Sequence, residues 1–259
     1  FGGGNAITFS GSGDVNGYTA TYTAVIGDGG QASSNTSETF ASSSLMLDMG
    51  DMGTVGFDQG VGEFGVGTID DKMPYAYEEI WTYTGASNGL KAAGGCNVVG
   101  YKNTMAGYTL SLEIDPGHSE SLTDTSGCSG DGGNSGAGIT RSGYNWAITG
   151  SPADGVNIGF GMGEEADKDE NATTAEDDQY MTAYATYAMG GLTVGYQASA
   201  NEGGTAGAAN NEVEIYGLSF AVNDNLAISV NQMDNEVHHV SAAVVTEETT
   251  GYAASYTMG

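Results

Sequence analysis

The sequence predicts an all-β fold: an antiparallel up-and-down transmembrane β-barrel with one apolar and one polar face. Three observations predict it. Hydrophobic residues recur with a period of two along nearly the whole chain, the connections alternate between short and long, and only 15% of the 259 residues are charged whereas 44 are glycine. A period of two is the signature of β-strands. The charged fraction lies well below the roughly 25% of typical soluble domains.

Thirteen segments carry the period of two, and most have the length of about 9–11 residues that a tilted membrane-spanning strand needs. We expect strands at 6–13, 17–26, 39–49, 53–60, 96–103, 107–115, 138–149, 155–163, 179–189, 192–200, 212–222, 226–234 and 249–258. Nothing in the composition divides the chain, so we expect residues 1–259 to form a single barrel domain.

The connections alternate strictly in length. The short ones are glycine-rich turns such as 14–17, 50–51 and 190–191, whereas the long ones, such as 60–95, 116–137 and 164–178, are polar and acidic. Successive connections of an up-and-down barrel fall on opposite rims, so one rim has tight turns and the other has long loops. This asymmetry is typical of barrels of the bacterial outer membrane.

The two faces of the predicted strands differ in kind. In segment 155–163, Phe160 and Met162 alternate with Gly161 and Gly163. Tyrosines and one tryptophan stand near strand ends on the apolar face, where a lipid–water boundary would accommodate both the ring and its polar group. They are Tyr18, Tyr108, Tyr144, Trp146, Tyr187, Tyr196, Tyr216 and Tyr252. We therefore expect the apolar face to meet lipid and the polar face to line water.

Alternation alone also fits a soluble β protein whose apolar face is its core. The alternative function is therefore a glycine-rich, acidic, Ca²⁺-binding structural or adhesive β protein of an extracellular layer. Against it, lysine, arginine and glutamate are nearly absent from the predicted strands.

The charge balance excludes a nucleic-acid-binding function. Thirty-three acidic residues against five basic ones give a formal net charge of −28. A nucleic-acid binder needs many lysines and arginines for phosphate contacts, and this chain has only five. Charged partners are expected to be cations.

We read the chain as a mature or trimmed product because it shows no signal-peptide pattern and does not begin with methionine.

Residues 42–60, SSSLMLDMGDMGTVGFDQG, carry a likeness to a known family. A strand with Leu45 and Leu47 meets a short turn at Gly50 and Asp51, and a strand beginning Gly-Thr-Val follows. The stretch resembles the general diffusion porins of Gram-negative outer membranes. The resemblance implies an outer-membrane location, a homotrimer, and a passive water-filled channel for small hydrophilic solutes. It also implies that the next loop, 60–95, folds into the barrel as a constriction.

The sequence departs from that family in strand number and in basic residues. The family has about sixteen strands and a ladder of arginines on the wall opposite the constriction loop. Here thirteen strands are visible, the chain ends at Gly259, and Arg141 and Lys102 are the basic residues at strand positions that could face the lumen. We therefore expect an incomplete barrel, with about sixteen strands in the full protein.

Acidic residues dominate the expected channel, so we predict a preference for cations. Pro74, Tyr75, Tyr77 and Trp81 are expected to pack the loop against the wall. The expected constriction residues are Asp70, Asp71, Lys72, Glu78 and Glu79, and the expected lumen-wall residues are Asp48, Asp58, Lys102, Glu113, Asp115 and Arg141.

Other motifs carry little chemistry. We expect no enzymatic activity and no required cofactor, because no nucleophile–base set or spaced carboxylate pair is legible and the three histidines, His118, His238 and His239, fall in expected loops. Segment 167–178 is rich in carboxylates without matching an EF-hand, so loose Ca²⁺ or Mg²⁺ binding is expected there, with bridging to lipopolysaccharide. Its ligands would be Asp167, Asp169, Asn171, Asp177 and Asp178. Cys96 and Cys128 fit a disulfide on the long-loop rim or two thiols.

Overall fold

The computed structural model describes residues 6–27, 42–59, 61–70, 72–76, 80, 98–116, 118–119, 139–140, 142–165, 177–203, 210–238 and 243–257. Within these ranges, no helix is long and apolar enough to cross a membrane. The helical elements described are two 3-10 helices, Gly50–Met52 and Gly65–Thr68.

Thirteen strands form one antiparallel sheet in which every strand pairs with its neighbour along the chain. A separate two-stranded sheet, β7 (His118–Ser119) and β8 (Ile139–Thr140), comes between β6 and β9 in chain order. The strands of the large sheet are β1 (Ala6–Val15), β2 (Tyr18–Gly27), β3 (Ser42–Asp48), β4 (Thr54–Gln59), β5 (Val98–Met105), β6 (Tyr108–Asp115), β9 (Gly143–Ala153), β10 (Val156–Glu165), β11 (Asp178–Met189), β12 (Leu192–Glu202), β13 (Asn210–Asn223), β14 (Leu226–His238) and β15 (Val245–Tyr256).

Each of the thirteen predicted strands is present, and the up-and-down order is confirmed. The sheet is not closed: among the described residues, β1 and β15 do not pair with each other. Several strands extend further toward the long-loop rim than predicted, and β14 reaches His238 rather than residue 234. The expected placement of His118 and His238 in loops is wrong, because both belong to strands. Backbone pairing continues there although acidic residues disfavour strands locally.

The turn between β1 and β2 owes its tightness to asparagine and glycine. Asn16 and Gly17 both have positive φ, 55° and 87°, between β1 and β2. Two consecutive positive φ values define the type I′ hairpin turn, whose twist matches that of the flanking strands. Because successive strands are antiparallel, the tight turns all lie at one edge of the sheet, and the strand ends that lead into the long connections lie at the other, as predicted.

The apolar face forms continuous rows across neighbouring strands. Phe57 pairs with Val99, Val99 with Ile114, and Ile114 with Tyr144, so four strands present one apolar row. Val99, Ile114 and Tyr144 are each at least half exposed. Soluble monomers rarely expose apolar patches of this extent. The arrangement fits a surface that is covered by hydrocarbon.

Candidate pore-lining site

Residues 61–70, 72–76 and 80, called here the inner segment, lie against the polar face of the sheet. The segment follows β4, and its backbone contacts two further strands. The N–H of Gly65 donates to Ser111 Oγ at 2.8 Å, and the N–H of Val66 donates to Asn145 Oδ1 at 2.7 Å. Ser111 is on β6 and Asn145 on β9. Polar side chains of the wall thus accept hydrogen bonds from backbone N–H groups of a segment that lies outside the sheet.

The inner segment then crosses to the far strands. Gln197 Nε2, on β12, donates to the carbonyl of Ile69 at 3.2 Å. The N–H of Ala76 donates to Ser229 Oγ, on β14, at 2.9 Å. These contacts join residues more than 120 positions apart in the sequence. The segment therefore spans the polar face from β4 to β14.

Glycines of the wall make room for this segment. A Cβ placed on Gly195 or Gly217 would lie 2.7 Å from Pro74 Cδ, well inside contact distance. The carbonyl of Pro74 accepts a hydrogen bond from Asn231 Nδ2 at 3.1 Å. Pro74 therefore packs on the wall, as the sequence predicted. Tyr75 is half-buried, whereas Tyr77 and Trp81 lie outside the described residues.

A small apolar core forms between the inner segment and the wall. Its members are buried residues of both, and they pack together although the face around them is polar. They are Val66, Ile69, Met73, Ile80, Ala147, Tyr180, Tyr184, Val213, Ile215 and Met233. This core holds the segment by burial of apolar surface in addition to the hydrogen bonds.

Asp58, at the end of β4, fixes the start of the inner segment. Its carboxylate accepts the N–H of Val61 at 2.8 Å and the N–H of Glu63 at 2.6 Å, and the residue is only 2% exposed. Hydrogen bonds to a charged acceptor contribute about 1.5–3 kcal/mol each. The sequence placed Asp58 on the lumen wall, and it acts here as an anchor of the backbone.

Replacing Asp58 with alanine is expected to loosen residues 61–63, because two backbone donors lose a charged acceptor. Loss of one such bond should raise the equilibrium constant for local opening by roughly tenfold or more. Amide hydrogen exchange at Val61 and Glu63 measures it. Asp48→Ala is the matched control, since Asp48 is exposed and accepts the N–H of Gly50 in the turn that follows β3. Equal exchange in the two variants would contradict the anchoring role.

Lys102 balances part of the acidic wall. Its Nζ lies 2.9 Å from Glu63 Oε2 and 5.6 Å from the centroid of the Phe64 ring. Both charged side chains are about one-third exposed. The pair thus stands at the edge of the inner segment, where water reaches it.

Two adjoining clefts open between the inner segment and the wall. The larger has a volume of about 660 Å³, and charges of both signs line it: Glu63, Asp70, Lys72 and Lys102. The smaller, about 330 Å³, continues toward the tight turns. Lys72 and Tyr184 line both clefts. The two clefts therefore adjoin, and polar side chains form most of their lining.

Acidic residues form a row across the polar face near the long-loop rim. Asp115 pairs with Gly143, Gly143 with Glu165, and Glu165 with Asp178, which brings three carboxylates into line on β6, β10 and β11. Each is buried. Glu113, two residues from Asp115 on the same face, accepts a hydrogen bond from Asn145 Nδ2 at 3.1 Å. This part of the wall is strongly acidic.

The structure brings together part of the predicted site. The predicted wall residues Asp48, Asp58, Lys102, Glu113 and Asp115 share the polar face by register. Asp70 and Lys72 belong to the inner segment, beside the larger cleft. The following predicted residues lie outside the described ranges: Asp71, Glu78, Glu79, Arg141, Cys96, Cys128, Asp167, Asp169 and Asn171.

The expected placement of Asp178 in an exposed loop is wrong. This residue begins β11, is 4% exposed and lies opposite Glu165 on the polar face. Asp177 is exposed. The pairing of β10 with β11 extends further than the alternating pattern indicated, and it carries Asp178 into the sheet.

The sequence did not predict the role of two tyrosines on the polar face. Tyr180 and Tyr184 are 2% and 8% exposed and contribute to the core under the inner segment. A signal was available, because both share the parity of Thr182 on β11, opposite to that of the apolar Met181 and Ala183. Gln197 and Ser229, which hold the segment, carried no such signal.

The described strands, their order and the segment across the polar face define the fold of an outer-membrane porin barrel. Solved structures share it. OmpTΔL8, a loop L8 deletion mutant of the outer membrane protein OmpT of Vibrio cholerae, is similar with a TM-score of 0.71 and 11% identity, over 100% of this chain and 82% of its own. OmpF of Salmonella typhi, in complex with daunomycin, gives 0.67 and 10%, over 98% and 78%.

An anion-selective porin of Comamonas acidovorans is also similar, with a TM-score of 0.58 and 15% identity, over 95% of this chain and 73% of its own. No protein-family model matches the sequence, and no curated protein sequence matches it significantly. The predicted resemblance to porins is confirmed at the level of the fold.

Proposed function

We propose that the chain forms a passive, water-filled channel for small hydrophilic solutes and ions in the outer membrane of a Gram-negative bacterium. One observation carries the proposal. The inner segment lies along the polar face and leaves two polar clefts beside the wall, whereas the opposite face is apolar. No bond is made or broken in this function, and no cofactor is required.

The channel prefers cations. The fold does not set the sign of selectivity, since one similar structure is an anion-selective porin. The support comes from the charges of this chain, above all the row of Asp115, Glu165 and Asp178 and the excess of 33 acidic over five basic residues. A low-dielectric wall focuses such a field, and it raises the local concentration of cations.

Reversal potentials across planar bilayers, measured with a salt gradient, test this function. We expect discrete conductance steps with cations more permeant than anions. The preference should shrink in concentrated salt, because the Debye length falls from about 10 Å at 0.1 M to about 3 Å at 1 M. Preference for anions would refute the cation selectivity and leave the channel intact, whereas absence of any conductance would refute the channel.

The assembly and the surroundings are proposed on the same basis. The chain forms a homotrimer, and its acidic long-loop rim contacts lipopolysaccharide with loosely bound Ca²⁺ or Mg²⁺ between the two sets of anions. Cross-linking in detergent measures the subunit number. The alternative, an extracellular Ca²⁺-binding structural or adhesive protein, requires the purified chain to remain soluble when detergent is removed.

A further inference from the structure

Three side chains meet on the apolar face at the long-loop end of β13 and β14. Glu212 and Glu236 stand directly opposite each other in the register, and His238 follows two residues later on β14, so all three project from one face. A nitrogen of the histidine and one oxygen of each carboxylate lie within 4.8 Å of one another. This face is turned away from the inner segment, so the cluster is separate from the channel.

The histidine nitrogen has an unusual environment. His238 Nε2 lies 3.6 Å from Glu236 Oε2 and 4.0 Å from Glu212 Oε1, distances too long for hydrogen bonds. The atom is shielded from solvent and has no hydrogen-bond partner among the described residues. A shielded polar atom without a partner costs free energy. A bound cation would satisfy it together with both carboxylates.

The spacing fits a small metal ion. Ligand atoms about 2.0–2.1 Å from a tetrahedral ion are separated from each other by about 3.3 Å. The two distances to the histidine nitrogen exceed this value by less than about 1 Å, which rotation of the two glutamate side chains can close. These side chains are 67% and 49% exposed and are able to move. A fourth position would remain open to water.

The ligand set favours a particular class of ion. Imidazole with carboxylates suits Zn²⁺ and Cu²⁺, whereas Ca²⁺ and Mg²⁺ select oxygen ligands alone. Like charges directly opposite each other destabilise a strand pair, and a dication would cancel the repulsion between Glu212 and Glu236. We propose that Glu212, Glu236 and His238 form a binding site for Zn²⁺ or Cu²⁺ on the outward surface of β13 and β14.

Metal titration of the purified full chain in detergent, after chelator treatment, tests the site. We expect one Zn²⁺ per chain in calorimetry and a nitrogen-coupled Cu²⁺ signal in electron paramagnetic resonance. Replacement of one of three ligands should weaken binding at least about tenfold, since loss of even an outer-shell partner costs 10–100-fold. His238→Gln and Glu212→Gln should each show this loss, and His238→Gln should also remove the nitrogen coupling.

Two matched controls exclude unspecific effects. Asp234→Asn removes a carboxylate from the same face of β14, and His118→Gln removes another histidine, and both should bind metal as the wild type does. Circular dichroism and heat-modifiable mobility on gels verify that each variant folds. Stoichiometric binding that survives in folded His238→Gln would overturn the proposal, as would a wild-type chain that binds no Zn²⁺.

Discussion

Replacing Gly100 with valine is expected to displace Phe64 from the polar face and to enlarge the channel. Phe64 is fully buried, and a Cβ on Gly100 would overlap its ring. Phe64 stands immediately before the 3-10 helix Gly65–Thr68, so its loss releases the start of the inner segment. Removing a buried phenylalanine contact costs about 3–5 kcal/mol, which lowers the ratio of docked to undocked segment by a hundredfold or more.

Single-channel recording measures this effect as a larger and noisier conductance. Gly11→Val is the matched control, because no atom lies within 4 Å of a Cβ placed on this strand glycine. Phe64→Ala should reproduce the effect. Adding Gly100→Val to Phe64→Ala should change little further, because the clashing ring is gone, and such non-additivity marks residues in contact. Unchanged conductance in folded Gly100→Val and Phe64→Ala would contradict the role of the inner segment as a constriction.

Charge substitutions at two neighbouring positions of the inner segment should shift ion selectivity in opposite directions. Asp70 and Lys72 both line the larger cleft. Asp70→Lys adds two positive charges, and we expect it to lower the ratio of cation to anion permeability. Lys72→Glu adds two negative charges and should raise it. A unit charge acting over about 4 Å in water contributes about 1 kcal/mol, so severalfold changes are expected.

The control for this pair changes a charge away from the two clefts. Glu202 is exposed at the end of β12 and pairs with Gln179, on the parity of the apolar face. Glu202→Lys makes the same change as Asp70→Lys and should leave the permeability ratio nearly unchanged. If Glu202→Lys lowers the ratio as much as Asp70→Lys does, the field of the whole chain sets selectivity, and the charges of the inner segment do not.

The sequence was sufficient for the fold because each strand carries its own evidence. Alternation in β6 and β10 placed Leu110, Leu112 and Phe160 on one face without knowledge of the neighbouring strands. The strand ends were less accessible. At the long-loop end of β13 the pattern inverts: Val213 and Ile215 are buried on the polar face, whereas Glu214 is exposed on the apolar face. Backbone pairing with β12 and β14 holds these residues in the strand, whereas their own alternating pattern does not match the rest of the sheet.

The apparent inversion has a physical reason on both faces. Val213 and Ile215 join the core under the inner segment. Glu214 accepts hydrogen bonds from the hydroxyls of Tyr196 at 2.6 Å and Tyr216 at 3.1 Å, at the border of the apolar rows. Tyrosines at such a border were predicted. The glutamate beside them was not predicted, because a charged side chain is stable on this face only where the apolar layer ends.

The candidate site was less predictable than the strands. Only the family resemblance and the length of the loop after β4 implied that this loop turns inward. The residues that hold it, Ser111, Asn145, Gln197 and Ser229, are ordinary polar residues of distant strands. Their role depends on register and on the crossing path of the segment, which no local pattern encodes.

Spin labels at Leu218 and Ser219 test the central claim most directly, because these adjacent residues of β13 are assigned to opposite faces. The labels are attached to cysteines in a chain whose Cys96 and Cys128 are replaced, reconstituted in liposomes. The label at position 218 should be relaxed by oxygen dissolved in lipid, and the label at position 219 by a water-soluble nickel complex. Equal access of the nickel complex to both positions, or a chain that stays in the aqueous phase without lipid, would contradict a membrane channel.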